Sequence, residues 1–150
     1  MLKTIAILLT LTAAATTAFA GGRSPKDVVA QLYKEYGTEQ SSEGETRLFR
    51  RYFDDDLLKL YLKDKREAKG EVGRINAVPL YNAQETEITE FFISGPKISG
   101  SEAHVTVLFK NLGKPERVEY LLSHTAKGWK ISDIRYQDGP SLKKILQAPL

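Results

Sequence analysis

The sequence predicts an α+β fold in which amino-terminal helices pack on one face of a curved antiparallel sheet. In the first half of the chain apolar residues recur at helical spacing, as in Val28, Val29, Leu32, Tyr33 and Tyr36. From residue 88 onwards they alternate with polar residues, which is the period of a half-buried strand. Helices followed by a run of strands are typical of α+β domains, and we expect a sheet of four strands or slightly more.

The stretch Gly128–Tyr136 is predicted to be the last and best-buried strand of this sheet. It is rich in aromatic and β-branched residues and holds the only tryptophan, Trp129. Trp129 and Ile131 have one parity along the strand, whereas Ile134 and Tyr136 have the other. Either a bulge in the middle of the strand or burial of both faces would account for this change.

Residues 1–20 have the three parts of a secretory signal peptide. A short basic start with Lys3 precedes an uncharged apolar run over residues 5–18, and an A-x-A site ends at Ala20. The run is shorter than the ~20 residues that a membrane-spanning helix needs. We therefore expect cleavage after Ala20, export to the periplasm without a membrane anchor, and a single domain over residues 21–150.

The composition excludes several classes of protein. The 22 basic and 19 acidic residues are mixed along the chain, so the net charge of +3 does not favour a nucleic-acid-binding protein. The chain has no cysteine, which excludes thiol catalysis and Cys-ligated zinc. An exported domain without disulfides depends on core packing alone, and at this size it is more typical of a Gram-negative periplasm than of a eukaryotic extracellular space.

The first helix is predicted over residues 25–36. Ser24 and Asp27 form a capping-box pattern around its start, and Gly37 can end it in the left-handed conformation. Residues 38–45 have no apolar side chain, so we expect a surface loop there.

A second helical region is predicted from Thr46 to a stop at Gly70. It is either two short helices, the second capped by an aspartate, or one kinked helix. The aspartates in question are Asp54, Asp55 and Asp56. They lack the alternating spacing and the glycine of a calcium-binding loop, so we expect no metal site.

Four strands are predicted, over residues 88–94, 103–110, 118–125 and 129–136. Gly95 and Pro96 are expected to stop the first strand. Residues 78–84 are apolar with polar interruptions and are expected to form an ordered loop. Ser141 is predicted to cap a last short helix.

The arrangement resembles the NTF2-like (cystatin-like) superfamily, a cone made by a bent sheet around amino-terminal helices. Three segments also resemble the DUF3828 family of small secreted bacterial proteins. They are the first helix, the segment from Pro79 to Glu85, and the terminal GWKISDIRY followed by Ser141 and Leu142. Val78 and Glu85 stand where the family's middle motif has aspartates. The resemblance implies a fold and a compartment, and it carries no activity with it.

Asp133 and His104 are the candidate catalytic residues. Asp133 lies between Ile131 and Ile134, and an inward-facing carboxylate there could act as a general base. His104 lies on a predicted strand of the same sheet and could form a dyad with it. The alternative is that both side chains are exposed and form ordinary surface contacts.

Tyr81, Asn82, Gln84 and Trp129 are the candidate ligand-binding residues. The first three lie in a loop with apolar neighbours and could line the open mouth of the cone. Trp129 could provide a stacking surface for a ligand. The alternatives are a loop that packs its own tyrosine and a tryptophan that belongs to the core.

No nucleophile motif, phosphate-binding loop or metal-binding pattern is present in the sequence. We therefore expect a non-enzymatic periplasmic protein, without a cofactor, that binds a small apolar ligand or a protein partner, as an immunity or inhibitor protein does. One alternative is a small lyase, isomerase or hydrolase that uses Asp133 with His104 or a tyrosine. Another is a scaffold that forms homodimers through its sheet and exposes apolar residues there.

Overall fold

The computed structural model describes residues 22–150, so the predicted signal peptide over residues 1–20 lies outside the described residues. The described chain has three helices, five strands and a short last helix, which confirms the predicted α+β class. The helices are α1 (Pro25–Tyr36), α2 (Ser42–Tyr52), α3 (Asp55–Ala68) and α4 (Leu142–Gln147). The strands are β1 (Ile88–Ile93), β2 (Lys97–Ser99), β3 (Glu102–Asn111), β4 (Lys114–Thr125) and β5 (Gly128–Tyr136).

Helix α1 has the predicted bounds because its start is doubly capped. The Asp27 amide donates to Ser24 Oγ at 3.2 Å, and the Ser24 amide donates to Asp27 Oδ2 at 3.3 Å. The predicted left-handed conformation of Gly37 was wrong, since this residue is right-handed, with φ −62° and ψ −18°. The Thr38 hydroxyl and amide both donate to the Glu35 carbonyl, at 2.8 and 3.1 Å, so the helix end is satisfied without a left-handed residue.

The second helical region consists of two helices, which confirms the first of the two predicted alternatives. Asp54 caps α3 by accepting the Leu57 amide at 2.9 Å. The predicted loop over residues 38–45 was too long, because α2 begins at Ser42 and Ser41 accepts the Gly44 amide at 3.0 Å. The first turn of α2 has no apolar residue, so hydrophobic periodicity gives no signal for it.

The sheet is antiparallel, with strand order β1-β3-β4-β5, and β2 pairs with β3 beside β1. The four predicted strands are present as β1, β3, β4 and β5. The prediction missed β2, because Gly95 and Pro96 break the edge strand only briefly before it resumes at Lys97. Strands β1 and β2 therefore form one interrupted edge of the sheet, and each pairs only with β3 among the described residues.

A bulge in β5 explains the change of parity noted in the sequence. Leu121 of β4 is opposite Asp133 and Leu122 is opposite Ile131, so Ser132 is an extra residue in β5. Trp129, Ile131 and Ile134 are consequently all buried. The bulge alternative is confirmed.

The helices cover one face of the sheet, here called the inner face. Strands β3, β4 and β5 bury alternate side chains there, and α1, α3 and α4 contact these strands. An aromatic cluster of Phe49, Phe53 and Tyr61 lies between α2 and α3, with the Phe49 and Phe53 rings stacked at 4.4 Å. The α2–α3 junction also protects the β5 edge, since the Asp54 amide donates to the Ile131 carbonyl at 2.8 Å.

Candidate functional site

The predicted loop around Tyr81 is a tight, ordered turn, here called the plug turn (residues 78–83). The Val78 amide donates to the Ala83 carbonyl at 2.9 Å. The Tyr81 and Asn82 amides donate to the Val78 carbonyl at 3.1 and 2.8 Å. Asn82 has φ +51°, a left-handed conformation that asparagine tolerates better than most residues.

A chain of buried tyrosine hydroxyls holds the plug turn against the inner face. Tyr120 donates to Tyr33 Oη at 2.9 Å, and Tyr33 donates to the Leu80 carbonyl at 2.9 Å. Tyr136 donates to the Pro79 carbonyl, also at 2.9 Å. Burial raises the pKa of Tyr33, Tyr120 and Tyr136 above the ordinary value, so all three hydroxyls keep their protons and act as donors.

The structure separates the three candidate ligand-binding residues of this loop. The Tyr81 ring packs against Tyr33 and Phe109, with ring centroids 5.5 Å from each, and burial raises its pKa. Asn82 and Gln84 are exposed, and Gln84 Nε2 donates to the Asn76 carbonyl at 3.1 Å. Tyr81 thus packs inward while Asn82 and Gln84 are on the surface, and ligand binding by these three residues stays a prediction.

Trp129 lies at the start of β5, whereas Tyr136, which binds the plug turn, lies at the end of the same strand. Trp129 is 6 % exposed, and its ring meets His124 edge-on at 4.9 Å. A stacking role would therefore have to use the exposed rim of the indole, which contributes to the wall of a small surface groove together with Lys127 and Lys130. Ligand binding at Trp129 also stays a prediction.

Asp133 and His104 are not brought together as a dyad. Asp133 Oδ1 accepts the Ile134 amide at 2.8 Å and the Lys143 amide, in the first turn of α4, at 2.9 Å. His104 Nδ1 lies 3.2 Å from Glu119 Oε1, on the sheet face opposite the buried Ala103 and Val105. Asp133 and His104 therefore have different partners. The hydrogen bonds of Asp133 attach the first turn of α4 to the bulge in β5.

The role of Asp133 in fastening α4 predicts a loss of stability on its removal. We expect Asp133→Ala to lower the free energy of unfolding by about 1 kcal/mol, as the loss of a helix cap does. His104→Ala, which removes a partly exposed side-chain contact with Glu119, should change it by less than about 0.5 kcal/mol. Urea unfolding followed by circular dichroism measures both values. Equal midpoints for Asp133→Ala and the wild type would contradict the capping role.

A cleft of about 420 Å³ lies between α2, α3 and the segment before the plug turn, and no sequence pattern predicted it. Glu45 lies in its wall and accepts hydrogen bonds from Tyr61 at 2.7 Å and Tyr36 at 3.2 Å. Burial, followed in size by the Glu45 charge, raises the pKa of the Tyr36 hydroxyl. Glu45 fell within the predicted loop, and its two tyrosine partners come from different helices, so spacing alone could not have identified the cluster.

Asp64, which also lines this cleft, belongs to a buried ion pair with Arg74. Asp64 is 4 % exposed, and its Oδ1 accepts the Arg74 amide at 2.8 Å and Arg74 Nη1 at 3.1 Å. Arg74 Nη2 also lies 2.7 Å from Glu67 Oε2, and this hydrogen bond, together with the arginine charge, lowers the pKa of Glu67. A Cβ on Gly73 would lie 2.5 Å from Asp64 Oδ2, so glycine is required for the close approach. The pair ties the chain after α3 to that helix, which is a structural role.

Apolar side chains are exposed along the β1–β2 edge. Phe91, Phe92 and Ile98 are 41, 58 and 50 % exposed, and Leu108, the register partner of Phe92, is 43 % exposed. We call these four residues the apolar edge. The Phe91 ring also meets Tyr33 edge-on at 4.8 Å, which joins the edge to the core. Phe92 and Leu108 lie on the outer face of the sheet, whereas Ile98 is opposite the buried Ala103 and lies on the inner face. Exposed apolar residues on both sides of an unpaired sheet edge are typical of an interaction surface.

Residues 22–150 contain no group of three histidine, aspartate or glutamate side chains placed to hold a metal ion. Within the same range, none of the helices has the length and apolar character needed to cross a bilayer.

No family model matches the chain, and the search of curated proteins finds no match. Among solved structures, a chain of the type VI effector–immunity complex Tae3-Tai3 from Ralstonia pickettii aligns with a TM-score of 0.60. The identity is 16 %, and the alignment covers 78 % of this chain and 98 % of that one. A selenomethionine form of the same complex gives 0.56 at 17 % identity, covering 78 % and 99 % of the two chains.

The phospholipid-binding protein from Ralstonia solanacearum aligns with a TM-score of only 0.34 at 14 % identity, over 81 % of this chain and 58 % of that one, and supports no inference. The resemblance to the NTF2-like superfamily and to DUF3828 stays a prediction. At these identities the comparisons establish a likeness of fold alone: this chain is similar in architecture to a chain of the Tae3-Tai3 complex.

Proposed function

We propose that this protein is exported to the periplasm and binds a protein partner without catalysing a reaction, as an immunity or inhibitor protein does. The observation that carries the proposal is the apolar edge. Its residues are ordered on a β-sheet, they are exposed among the described residues, and the adjacent backbone of β1 and β2 has one side unpaired.

The irregular backbone of the apolar edge favours a partner that contacts its side chains over a partner that adds a long β-strand to the sheet. Between Thr89 and Phe92 the register of β1 shifts, and Glu90 has φ +50°, so the hydrogen-bonding ladder is interrupted there. Strand β2 offers only a short further segment. We therefore expect Phe92 to be the main anchor that a partner covers, since a few buried aromatic side chains supply most of the binding free energy at interfaces. Ile98, on the other face of the edge, is expected to contribute less.

Two further observations support a partner over a small apolar ligand. Tyr81 and the hydroxyl chain through Tyr33 occupy the part of the inner face that a ligand in a cone would use. The fold is also similar to that of a chain in an effector–immunity complex, whose two proteins bind one another. Asp133 Oδ1 accepts hydrogen bonds from two backbone amides and His104 pairs with Glu119, so the structure does not assemble the Asp133–His104 dyad of the enzymatic alternative.

Capture from a periplasmic extract by the mature chain tests the proposal. We expect one protein to be retained in stoichiometric amount, and Phe92→Lys to weaken its binding at least about tenfold, because a buried aromatic anchor is replaced by a charge. Val72→Lys is the control, since Val72 is also an exposed apolar residue, 75 % exposed compared with 58 % for Phe92, and it lines the cleft around Glu45 instead of the apolar edge.

The outcome separates the alternatives. If Val72→Lys abolishes capture while Phe92→Lys does not, the partner binds the cleft and the proposed surface is wrong. Size-exclusion chromatography shows whether the apolar edge instead pairs two copies: a dimer that Phe92→Lys converts to a monomer would favour the homodimeric scaffold. Retention of no protein, together with a monomer at all concentrations, would contradict the proposal.

A further inference from the structure

A small groove beside Trp129 is lined by four cationic residues and by no acidic one. We call it the basic groove, and its cations are Arg23, Arg51, Lys127 and Lys130. Its volume is about 240 Å³, and Val28, Tyr52 and the rim of Trp129 add apolar surface. It lies at the amino-terminal end of β5, away from both the apolar edge and the cleft around Glu45.

Most of the positive charge in this groove has no carboxylate partner. Arg51 forms an ion pair with Glu35 at 2.5 Å, and Lys130 Nζ donates to the backbone carbonyl of Arg51. Within residues 22–150, Arg23, Lys127 and Lys130 have no acidic group at ion-pair distance. Burial, and after it the charges of Lys127 and Arg23, lower the pKa of Lys130, against a smaller opposing effect of Asp55. Like charges are thus held close together with only partial compensation from Glu35 and Asp55.

We infer that the basic groove binds the carboxylate side chains of an acidic peptide segment on a protein partner. The inference deepens the proposed function and rests on it. The space exceeds that of a single small anion, and its apolar surface suits the methylene groups that carry a glutamate carboxylate. Lysine and arginine side chains bind carboxylates and phosphates alike, so the experiment that tests the inference includes a comparison with inorganic phosphate.

A neighbouring cleft limits where the acidic segment can lie. It has a volume of about 370 Å³, shares Lys127 and Lys130 with the basic groove, and contains Asp54, Asp55 and Asp56. These aspartates repel further acidic residues, so the segment is confined to the side of Lys130 that faces Trp129. Charge of this kind contributes mainly to the rate and specificity of association, which complements the apolar contacts of the proposed edge.

The position of Trp129 provides a direct assay. Since Trp129 is the only tryptophan of the chain and its rim lines the groove, its fluorescence can report on binding there. We expect a hexaglutamate peptide to change the emission of the mature protein saturably at low salt, and a rise to about 0.5 M NaCl to weaken binding at least about tenfold through screening. The double variant Arg23→Gln, Lys127→Gln should weaken it at least about fivefold, because both side chains are exposed and bind no described partner.

The matched control is the double variant Lys59→Gln, Lys114→Gln, which removes the same charge from exposed sites outside the groove. It should change the affinity less than about twofold. Equal losses in the two double variants would show a long-range charge effect only and overturn the assignment. So would the absence of a saturable change, or binding of inorganic phosphate as tight as that of the peptide.

The peptide-binding assay tests the basic groove independently of the apolar edge. Phe92→Lys should bind the peptide as the wild type does, since Phe92 does not line the groove. If the peptide fails to bind while partner capture still depends on Phe92, this inference is wrong and the proposed function stands. If the peptide binds and no partner is captured, the proposed function is the one that fails.

Discussion

Replacement of Phe49 by alanine is expected to lower the free energy of unfolding by about 3–5 kcal/mol. Phe49 is fully buried, its ring stacks on Phe53 at 4.4 Å, and it meets Tyr61 edge-on at 5.0 Å. Alanine would leave a cavity in the aromatic cluster between α2 and α3. Since the chain has no disulfide to compensate, this loss approaches the whole stability of a typical domain.

Phe92→Ala is the matched control for this prediction. Phe92 is 58 % exposed, so the same deletion should change the free energy of unfolding by about 0.5 kcal/mol or less. Urea unfolding monitored by far-ultraviolet circular dichroism gives both values. Similar losses at the two positions would mean that the aromatic cluster is not the centre of the core. The control also establishes that variants at the apolar edge can be used in binding experiments without unfolding the protein.

Replacement of Tyr33 by phenylalanine is expected to lower the free energy of unfolding by about 2–4 kcal/mol. The change removes one oxygen but leaves two buried groups without a partner, the Tyr120 hydroxyl and the Leu80 carbonyl. Tyr120→Phe removes the other end of the same chain. Tyr33 would still donate to Leu80 in that variant, so we expect a smaller loss of about 0.5–1.5 kcal/mol.

The two tyrosine variants also differ in their effect on the plug turn. Because Tyr33 binds the turn directly, Tyr33→Phe should speed amide hydrogen exchange at Tyr81 and Asn82 more than Tyr120→Phe does. Nuclear magnetic resonance measures the exchange, and thermal or urea unfolding measures the stability. A larger loss in Tyr120→Phe than in Tyr33→Phe would contradict the direction of donation along the hydroxyl chain.

Local patterns predicted much of the fold. Helix α1 has its predicted bounds because Ser24, Asp27 and an uninterrupted apolar face all lie within twelve residues of one another. The bulge in β5 was one of two predicted alternatives, since a change of parity within a strand has few structural solutions. The start of α2 and strand β2 were missed, because a polar first turn and a three-residue strand contain no complete hydrophobic period.

The candidate sites were predicted less well than the fold. Tyr81, Asn82 and Gln84 do lie in an ordered loop, yet Tyr81 packs inward and the other two side chains point to the surface. Asp133 and His104 lie on strands of one sheet, as predicted, but their partners are the Lys143 amide and Glu119. Strand parity places a side chain on a face, whereas its hydrogen-bond partner depends on which element crosses that face.

The sequence by itself determined the order of helices and strands, the α+β class, and the burial of Trp129 and Ile131 in the last strand. These properties follow from periods and caps that act between residues close together in the chain. Only the tertiary structure decided that Tyr33 reaches Leu80, that β1 and β2 leave an apolar edge, and that Arg23 meets Lys127 in a groove. Such contacts join residues far apart in sequence, and they exist only after the helices have packed on the sheet and fixed which side chains are neighbours.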